Sequence, residues 1–173
     1  QSALPHRPAS ARNGDAQVAR SPYNGAMNAT LAYAALGPDN VLDALDSVGQ
    51  RGDGRLIALN SYENRVYQIW IEDAAPVIAK FYRPERWSDD AILEEHRLTQ
   101  DLAQREIPVI APLTLQGPTL PAHAGSRFAV YPKAGGRMPE FDQPDTLEWM
   151  GRFLARIHAV GTTEPYRYRP TLD

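Results

Sequence analysis

Apolar residues recur every three or four positions in three segments of the chain, and this spacing predicts three helices. The first falls within GPDNVLDALDSVG, where Pro38 and Asp39 suit the first turn and Gly49 suits the end. Its predicted apolar face consists of Val41, Leu42, Leu45 and Val48.

The second and third helices carry stronger boundary signals. The second is predicted over SDDAILEEHRLTQDLAQREI, with Ser88 as its N-cap. The two aspartates that follow Ser88 lie at the positive end of the helix dipole, which they stabilise. The third is predicted over DTLEWMGRFLARIHAVG, capped by Asp145 or Thr146 and ended by Gly161. Its predicted apolar face consists of Leu147, Met150, Leu154 and Ile157.

Between the first two helices the pattern changes to the alternation of β-strands. RLIALN and RVYQIWIE flank a polar loop, PVIAKFY forms a third strand, and Pro84 prevents that strand from continuing. After the second helix, PLTLQ and RFAVYP predict two further strands. The sequence therefore predicts an α+β fold: a five-stranded antiparallel sheet with one helix inserted after the third strand. This is the element order of a protein-kinase small lobe, followed here by a long helix.

Composition narrows the classes of protein to consider. The 173 residues are 43% hydrophobic, which supports a packed core, and the net charge of -3 argues against a general nucleic-acid surface. The absence of cysteine excludes disulfides, thiolate zinc sites and thiol nucleophiles. No apolar run is long enough for a membrane span, and no secretory signal is evident. We therefore expect a cytoplasmic protein with no nucleic-acid or membrane partner.

The chain divides into three predicted regions. Residues 1–26 show no periodicity and are expected to be a disordered leader, derived from an expression vector or an extended reading frame, because the first methionine is Met27. Residues 27–133 are expected to form the small lobe and hinge, and residues 134–173 the start of a large lobe.

Lys80 is the first candidate for chemistry, because it interrupts the apolar strand VIAKFY. A lysine in such a strand either extends its ammonium to solvent or meets an anion. Taken alone, the solvent-exposed strand end is the commoner situation. A nucleotide phosphate is the anion that fits best, because a strand fixes the position of the ammonium and its three donors.

The second predicted helix offers Lys80 a carboxylate partner. On a helical wheel Glu95 falls inside the apolar arc, whereas Glu94 falls at its edge. A carboxylate in a core-facing stripe needs a cation, and Lys80 on the preceding strand is the nearest candidate. Pairing of Glu95 with Arg86 or Arg105 is the alternative.

The loop in LNSYENRVYQ lacks the glycines that are usual in a hairpin turn. It could be a plain polar hairpin, or a loop whose main-chain N–H groups cover a phosphate. In the second case Ser61 adds a hydroxyl donor and Arg65 adds positive charge. Asn64 tolerates positive φ and could make the sharp turn without glycine.

Four strings, LNSYENRVYQ, IAKFYRPERW, AILEEH and MGRFLARIHAVG, resemble the bacterial stress-response Ser/Thr protein kinases of the aminoglycoside/choline phosphotransferase superfamily. The resemblance covers residues 35–173 and implies a protein-kinase-like small lobe plus the first helix of the large lobe. It further implies that Lys80 is the ATP lysine of the third strand and Glu95 its helix partner. The implied ATP-covering loop consists of Ser61, Tyr62, Glu63, Asn64 and Arg65.

The same resemblance places the hinge in FAVYPKAGGR, where adenine is expected to bond to the main chain around Tyr131 to Lys133. Pro132 offers a carbonyl but no N–H there. The alternative is that Tyr131 and Pro132 simply end an edge strand. The family's His-Gly-Asp motif, its catalytic Asp and its Mg²⁺ ligands have no counterpart in this chain and are expected beyond residue 173.

The remaining candidates favour structural roles. The four histidines, His6, His96, His123 and His158, have no metal-ligand spacing, and His158 is expected to be a packing or helix-end residue. The three acidic residues of the first helix are expected on a solvated face, and Arg83 and Arg86 on the surface or on a basic rim.

The predicted function is that of an ATP-binding part of a Ser/Thr protein kinase that uses ATP and Mg²⁺ on protein substrates and is a monomer when full length. The alternatives are a small-molecule kinase acting on an aminoglycoside, choline or homoserine, and a non-catalytic module that binds a nucleotide or a partner.

Overall fold

The computed structural model describes residues 30–170 apart from Ala32, so the predicted leader, residues 1–26, lies outside the described residues. The helices are α1 (Pro38–Asp46), α2 (Asp89–Gln104) and α3 (Pro144–Gly161). The strands are β1 (Gly52–Leu59), β2 (Arg65–Ile71), β3 (Val77–Phe81), β4 (Ala122–His123) and β5 (Ser126–Pro132). No helix among the described residues is long and apolar enough to cross a membrane.

The strands form one antiparallel sheet in the order β1-β2-β3-β5-β4, with α2 inserted between β3 and β4. This confirms the predicted fold class. Strand β3 lies in the middle of the sheet, where Lys80 is paired with Val66 of β2 on one side and with Ala129 of β5 on the other. The sheet thus holds the backbone of Lys80 from both sides.

The predicted strand PLTLQ is wrong, because residues 112–116 are not part of the sheet ladder. Pro112 has no N–H to give to a ladder, and the segment is attached through a bond from Leu113 N–H to Val130 O (2.7 Å). The fourth strand is instead the short β4, which pairs with the beginning of β5 through Ala122 and His123.

The main core lies between α1 and one face of the sheet. Val41 and Leu45 of α1 are fully buried against strand residues that include Ile69 and Phe81. The ring of Phe81 stacks on that of Phe128 with 5.2 Å between centroids. Each such side chain contributes about 1.5–3 kcal/mol by leaving water, so this layer holds β3 rigidly in place.

Helix α2 begins as predicted, since the Ser88 hydroxyl accepts a hydrogen bond from Ala91 N–H (3.2 Å). The predicted cap of α3 is wrong, because Gln143 occupies the N-cap and Pro144 the first turn, with Asp145 inside the helix. Pro144 fixes φ and needs no N–H partner there, so the helix starts two residues earlier than a cap at Asp145 would give.

The predicted apolar face of α3 is also wrong in part. Phe153, Ile157 and Val160 pack against α2 and the segment after it, whereas Leu147 and Leu154 are more than half exposed. The helix is apolar on two sides, and helical spacing alone does not show which side meets α2.

Candidate functional site

Strict alternation along β3 divides its side chains between two faces of the sheet. Val77, Ala79 and Phe81 enter the core, whereas Ile78 and Lys80 face the opposite side, where a cleft of about 340 Å³ opens. The cleft is lined by Val66, Ile78, Lys80, Glu95, Thr99, Ile110, Tyr131, Pro132 and Ala134. Its walls are thus mainly apolar, with two opposite charges among them.

Lys80 and Glu95 meet in this cleft, with 3.6 Å between Nζ and Oε1. The separation is that of an ion pair, but it is longer than a direct hydrogen bond. Lys80 also lies 4.6 Å above the ring of Tyr82, whose face attracts a cation. The ammonium is therefore held between a carboxylate and an aromatic face and retains access to the cleft.

The structure buries Glu94 and exposes Glu95, the opposite of what the helical wheel predicted. Glu94, expected at the edge of the apolar arc, is 5% exposed, whereas Glu95 is 37% exposed. Glu94 accepts hydrogen bonds from the N–H groups of Arg167 (2.7 Å) and Tyr168 (3.1 Å). Burial alone would raise the pKa of Glu94, but these N–H groups outweigh it and hold the pKa below its ordinary value.

A buried polar network lies behind the ion pair. His96 is 1% exposed, and its Nε2 lies 2.8 Å from the Tyr82 hydroxyl while its Nδ1 lies 2.8 Å from the Thr119 hydroxyl. The Tyr131 hydroxyl lies 3.2 Å from that of Tyr82. Burial lowers the pKa of His96 to about 4; the charge of Glu95 opposes this shift, and that of Lys80 adds to it. The imidazole is therefore neutral at physiological pH.

The loop between β1 and β2 closes on itself. The Ser61 hydroxyl donates to Asn64 O (2.6 Å), so this donor is engaged inside the loop. Asn64 does not adopt positive φ, contrary to the expectation that it makes the sharp turn. Its side-chain Oδ1 instead accepts from Arg83 N–H (3.2 Å), which ties the loop to the segment after β3.

The other loop side chains also point away from Lys80. Glu63 pairs with Arg86 (3.0 Å), and Arg65 donates to Leu36 O (3.0 Å). Tyr62 is fully exposed at the tip. The main-chain N–H groups of residues 62 and 63 donate to no other described residue. If this loop covers a ligand, its backbone is the part free to do so.

The predicted hinge follows the end of β5. Tyr131 lines the cleft and its hydroxyl belongs to the buried network, while burial raises its pKa. Lys133 is exposed and its side chain is not part of the cleft lining. The described residues contain no group of three or more metal-ligating side chains.

Two contributors to the site were not found from the sequence. His96 follows the buried Ile92 by one helical turn, so the wheel could have marked it as buried. Arg169, which pairs with Glu95, lies 74 positions away in an irregular segment, and no local pattern connects the two.

The fold and the cleft define the class: a protein-kinase-like small lobe with a Lys–Glu pair at its cleft. Residues 55–173 match the phosphotransferase enzyme family (APH), and the chain belongs to this family.

Named relatives and a solved structure agree with this assignment. The stress response kinase A of Escherichia coli (strain K12) is 47% identical over 84% of this chain and 44% of its own length. The serine/threonine protein kinase RdoA of Salmonella typhimurium (strain LT2) is 46% identical over 82% of this chain and 43% of its own. The chain spans less than half the length of these curated relatives.

The fold is also similar to that of the amicoumacin kinase hAmiN, whose structure was solved in complex with AMP-PNP, Ca²⁺ and Ami. The TM-score is 0.66 at 26% identity, and the match covers 80% of this chain and 45% of that one.

Proposed function

We propose that this chain forms the ATP-binding part of a Ser/Thr protein kinase that transfers the γ-phosphoryl group of ATP to protein hydroxyls in a stress response. The observation that carries the proposal is the Lys80–Glu95 pair, which lies in a mainly apolar cleft. Kinases of this general fold need such a cation beside the nucleotide phosphates. The names of the relatives support a protein as the substrate.

The cleft suits a purine nucleotide in shape and polarity. Val66 and Ile78 offer apolar surface to the faces of an adenine ring, and Ile110 adds to that surface. The edge of the ring would bond to the main chain of residues 131–133, where Lys133 must supply the N–H because Pro132 has none. The phosphates would then extend toward Lys80, with the main chain of residues 61–65 above them.

The residues of this chain supply the contacts to the phosphates and not the proton acceptor. Lys80 would bind the α- and β-phosphates, and Glu95 would hold the lysine in position. The aspartate that accepts the proton of the substrate hydroxyl and the ligands of Mg²⁺ are expected beyond residue 173. We therefore expect the 173-residue chain to bind ATP without transferring phosphate.

The proposal is tested in the full-length protein with γ-labelled ATP and a set of protein substrates. Lys80→Ala should reduce transfer by at least about 100-fold, because it removes the charge that faces the phosphates. Its melting temperature should stay within about 3 °C of the wild type, since Lys80 is not in the core. Wild-type activity in this variant would refute the assignment of Lys80.

A small-molecule kinase is the second candidate, supported by the structural likeness to the amicoumacin kinase. The same labelled-ATP assay with aminoglycosides, choline and homoserine as acceptors separates the two. Transfer to one of these alcohols and not to any protein would favour the second candidate.

A non-catalytic binding module is the third. The exposed Leu147 and Leu154 lie on the same side of α3 and form an apolar surface that such a module could use. In the proposed kinase the large lobe packs there instead. Phosphate transfer by the full-length protein to any acceptor would exclude the third candidate.

A further inference from the structure

The segment that follows α3 returns to α2 and contacts it at three consecutive residues, 167–169, which we call the strap. The N–H groups of Arg167 and Tyr168 bind the two carboxylate oxygens of Glu94. Glu94 is nearly inaccessible to water, so these bonds replace its hydration. The strap thereby fixes the rotation of α2 about its own axis.

Arg169 adds three contacts through the end of its side chain. Its guanidinium pairs with Glu95, donates from Nε to Ala91 O (3.1 Å), and stacks on the Trp87 ring at 4.4 Å. The side chain is only 26% exposed. A planar guanidinium already held by Ala91 O and by the Trp87 ring is pre-organised, so it loses little freedom when Glu95 binds it.

The carboxylate of Glu95 is shared between two cations through different oxygens. Oε1 faces Lys80 at 3.6 Å, and Oε2 faces Arg169. Because each cation has its own oxygen, Arg169 does not displace Lys80. The three groups together carry a net charge of about +1, whereas an isolated Lys–Glu pair would be neutral.

We propose that Arg169 is a positioning residue of the nucleotide site: it orients Glu95 and takes up part of its charge, which leaves Lys80 free to bind phosphate. The inference rests on the proposed function, since it assigns Arg169 a role in binding the phosphates of ATP. Arg169 itself acts through Glu95 and is not expected to touch the nucleotide.

The test compares ligands with and without phosphate on the 173-residue chain. ATP and adenosine share the adenine and ribose, so a role in phosphate binding affects ATP alone, whereas a distorted cleft affects both. The dissociation constants are measured by titration calorimetry at one fixed ionic strength, because surface electrostatics depend on salt.

Arg169→Gln should weaken ATP binding about tenfold and change adenosine binding less than about twofold, the scale of one partly screened charge near the phosphates. Arg169→Lys keeps the charge but not the planar guanidinium, so its ATP affinity should lie between those of Arg169→Gln and the wild type. The control is Arg51→Gln, which makes the same change of charge at an exposed residue that pairs with Glu72. It should change neither affinity.

Each outcome discriminates. Equal losses for ATP and adenosine in Arg169→Gln, or no loss for either, would overturn the inference while the proposed function stood. Failure of the wild type to bind ATP would overturn the proposed function and the inference with it. If Arg169→Gln unfolds the chain, Arg169→Met is measured instead, because its side chain can still pack on Trp87 without the charge.

Discussion

The buried His96 predicts a pH dependence of stability that can be assigned to one residue. It is 1% exposed, and burial lowers its pKa to about 4 from the ordinary 6.5. As the pH falls below 6.5 the unfolded chain takes up a proton at this histidine, while the folded chain does not until about pH 4. Protonation therefore favours the unfolded state, and stability falls across this window.

The magnitude follows from the difference between the two pKa values. The difference between a pKa of 6.5 in the unfolded chain and about 4 in the folded chain corresponds to a maximal loss of about 3 kcal/mol below pH 4. Between pH 7 and pH 5 the expected loss is about 2 kcal/mol, because most unfolded molecules become protonated in that interval. Carboxylates contribute little there, since they titrate mostly below pH 5.

The assay is urea unfolding, followed by tryptophan fluorescence at pH 7 and pH 5, of the wild type, His96→Gln and His158→Gln. The wild type should lose about 2 kcal/mol more than His96→Gln over this interval. His158 is exposed on α3, so His158→Gln should keep the wild-type dependence. The reasoning is refuted if wild type and His96→Gln lose equal stability, or if the His96 ring titrates near 6.5 by NMR in the folded chain.

Two further predictions concern the loop and the last helix. Ser61→Gly removes the hydrogen bond to Asn64 O, which contributes about 1 kcal/mol. In the full-length protein this substitution should raise the KM for ATP about two- to fivefold. An unchanged KM would show that this hydrogen bond does not affect ATP binding. Leu154→Ser should reduce self-association of the 173-residue chain in light scattering, because this leucine is 53% exposed, and should leave its melting temperature within about 2 °C. Unaltered self-association would indicate that a different surface mediates it.

Local signals predicted the elements that set up the site. The sequence predicted β3 as a strand that contains Lys80, and the hydroxyl of Ser88 marked the start of α2. The helical wheel singled out Glu95, and because β3 and α2 are consecutive, element order made Lys80 its expected partner. Each of these signals is contained within one element and its neighbour in the chain.

The features that the sequence did not predict correctly depend on contacts that no local pattern shows. The helical wheel gave Glu94 an edge position, yet the strap buries it from 73 residues away. Likewise, PLTLQ has the composition of a strand, but Pro112 has no N–H to donate to a neighbouring strand, and β4 pairs with β5 instead. The turn at Asn64 was expected to need positive φ, whereas a side-chain bond from Ser61 closes it.

The adjacent glutamates explain why the strap matters for the small lobe. Glu94 and Glu95 point about 100° apart on α2, so one can bind the strap backbone while the other faces the cleft. Any rotation of α2 that moved Glu95 away from Lys80 would also pull Glu94 from two N–H groups in a nearly dry environment, and a buried carboxylate without partners is costly. The position of Glu95 is therefore set in part by residues that follow α3, and the geometry of the Lys80–Glu95 pair depends on a segment more than 70 residues away along the chain.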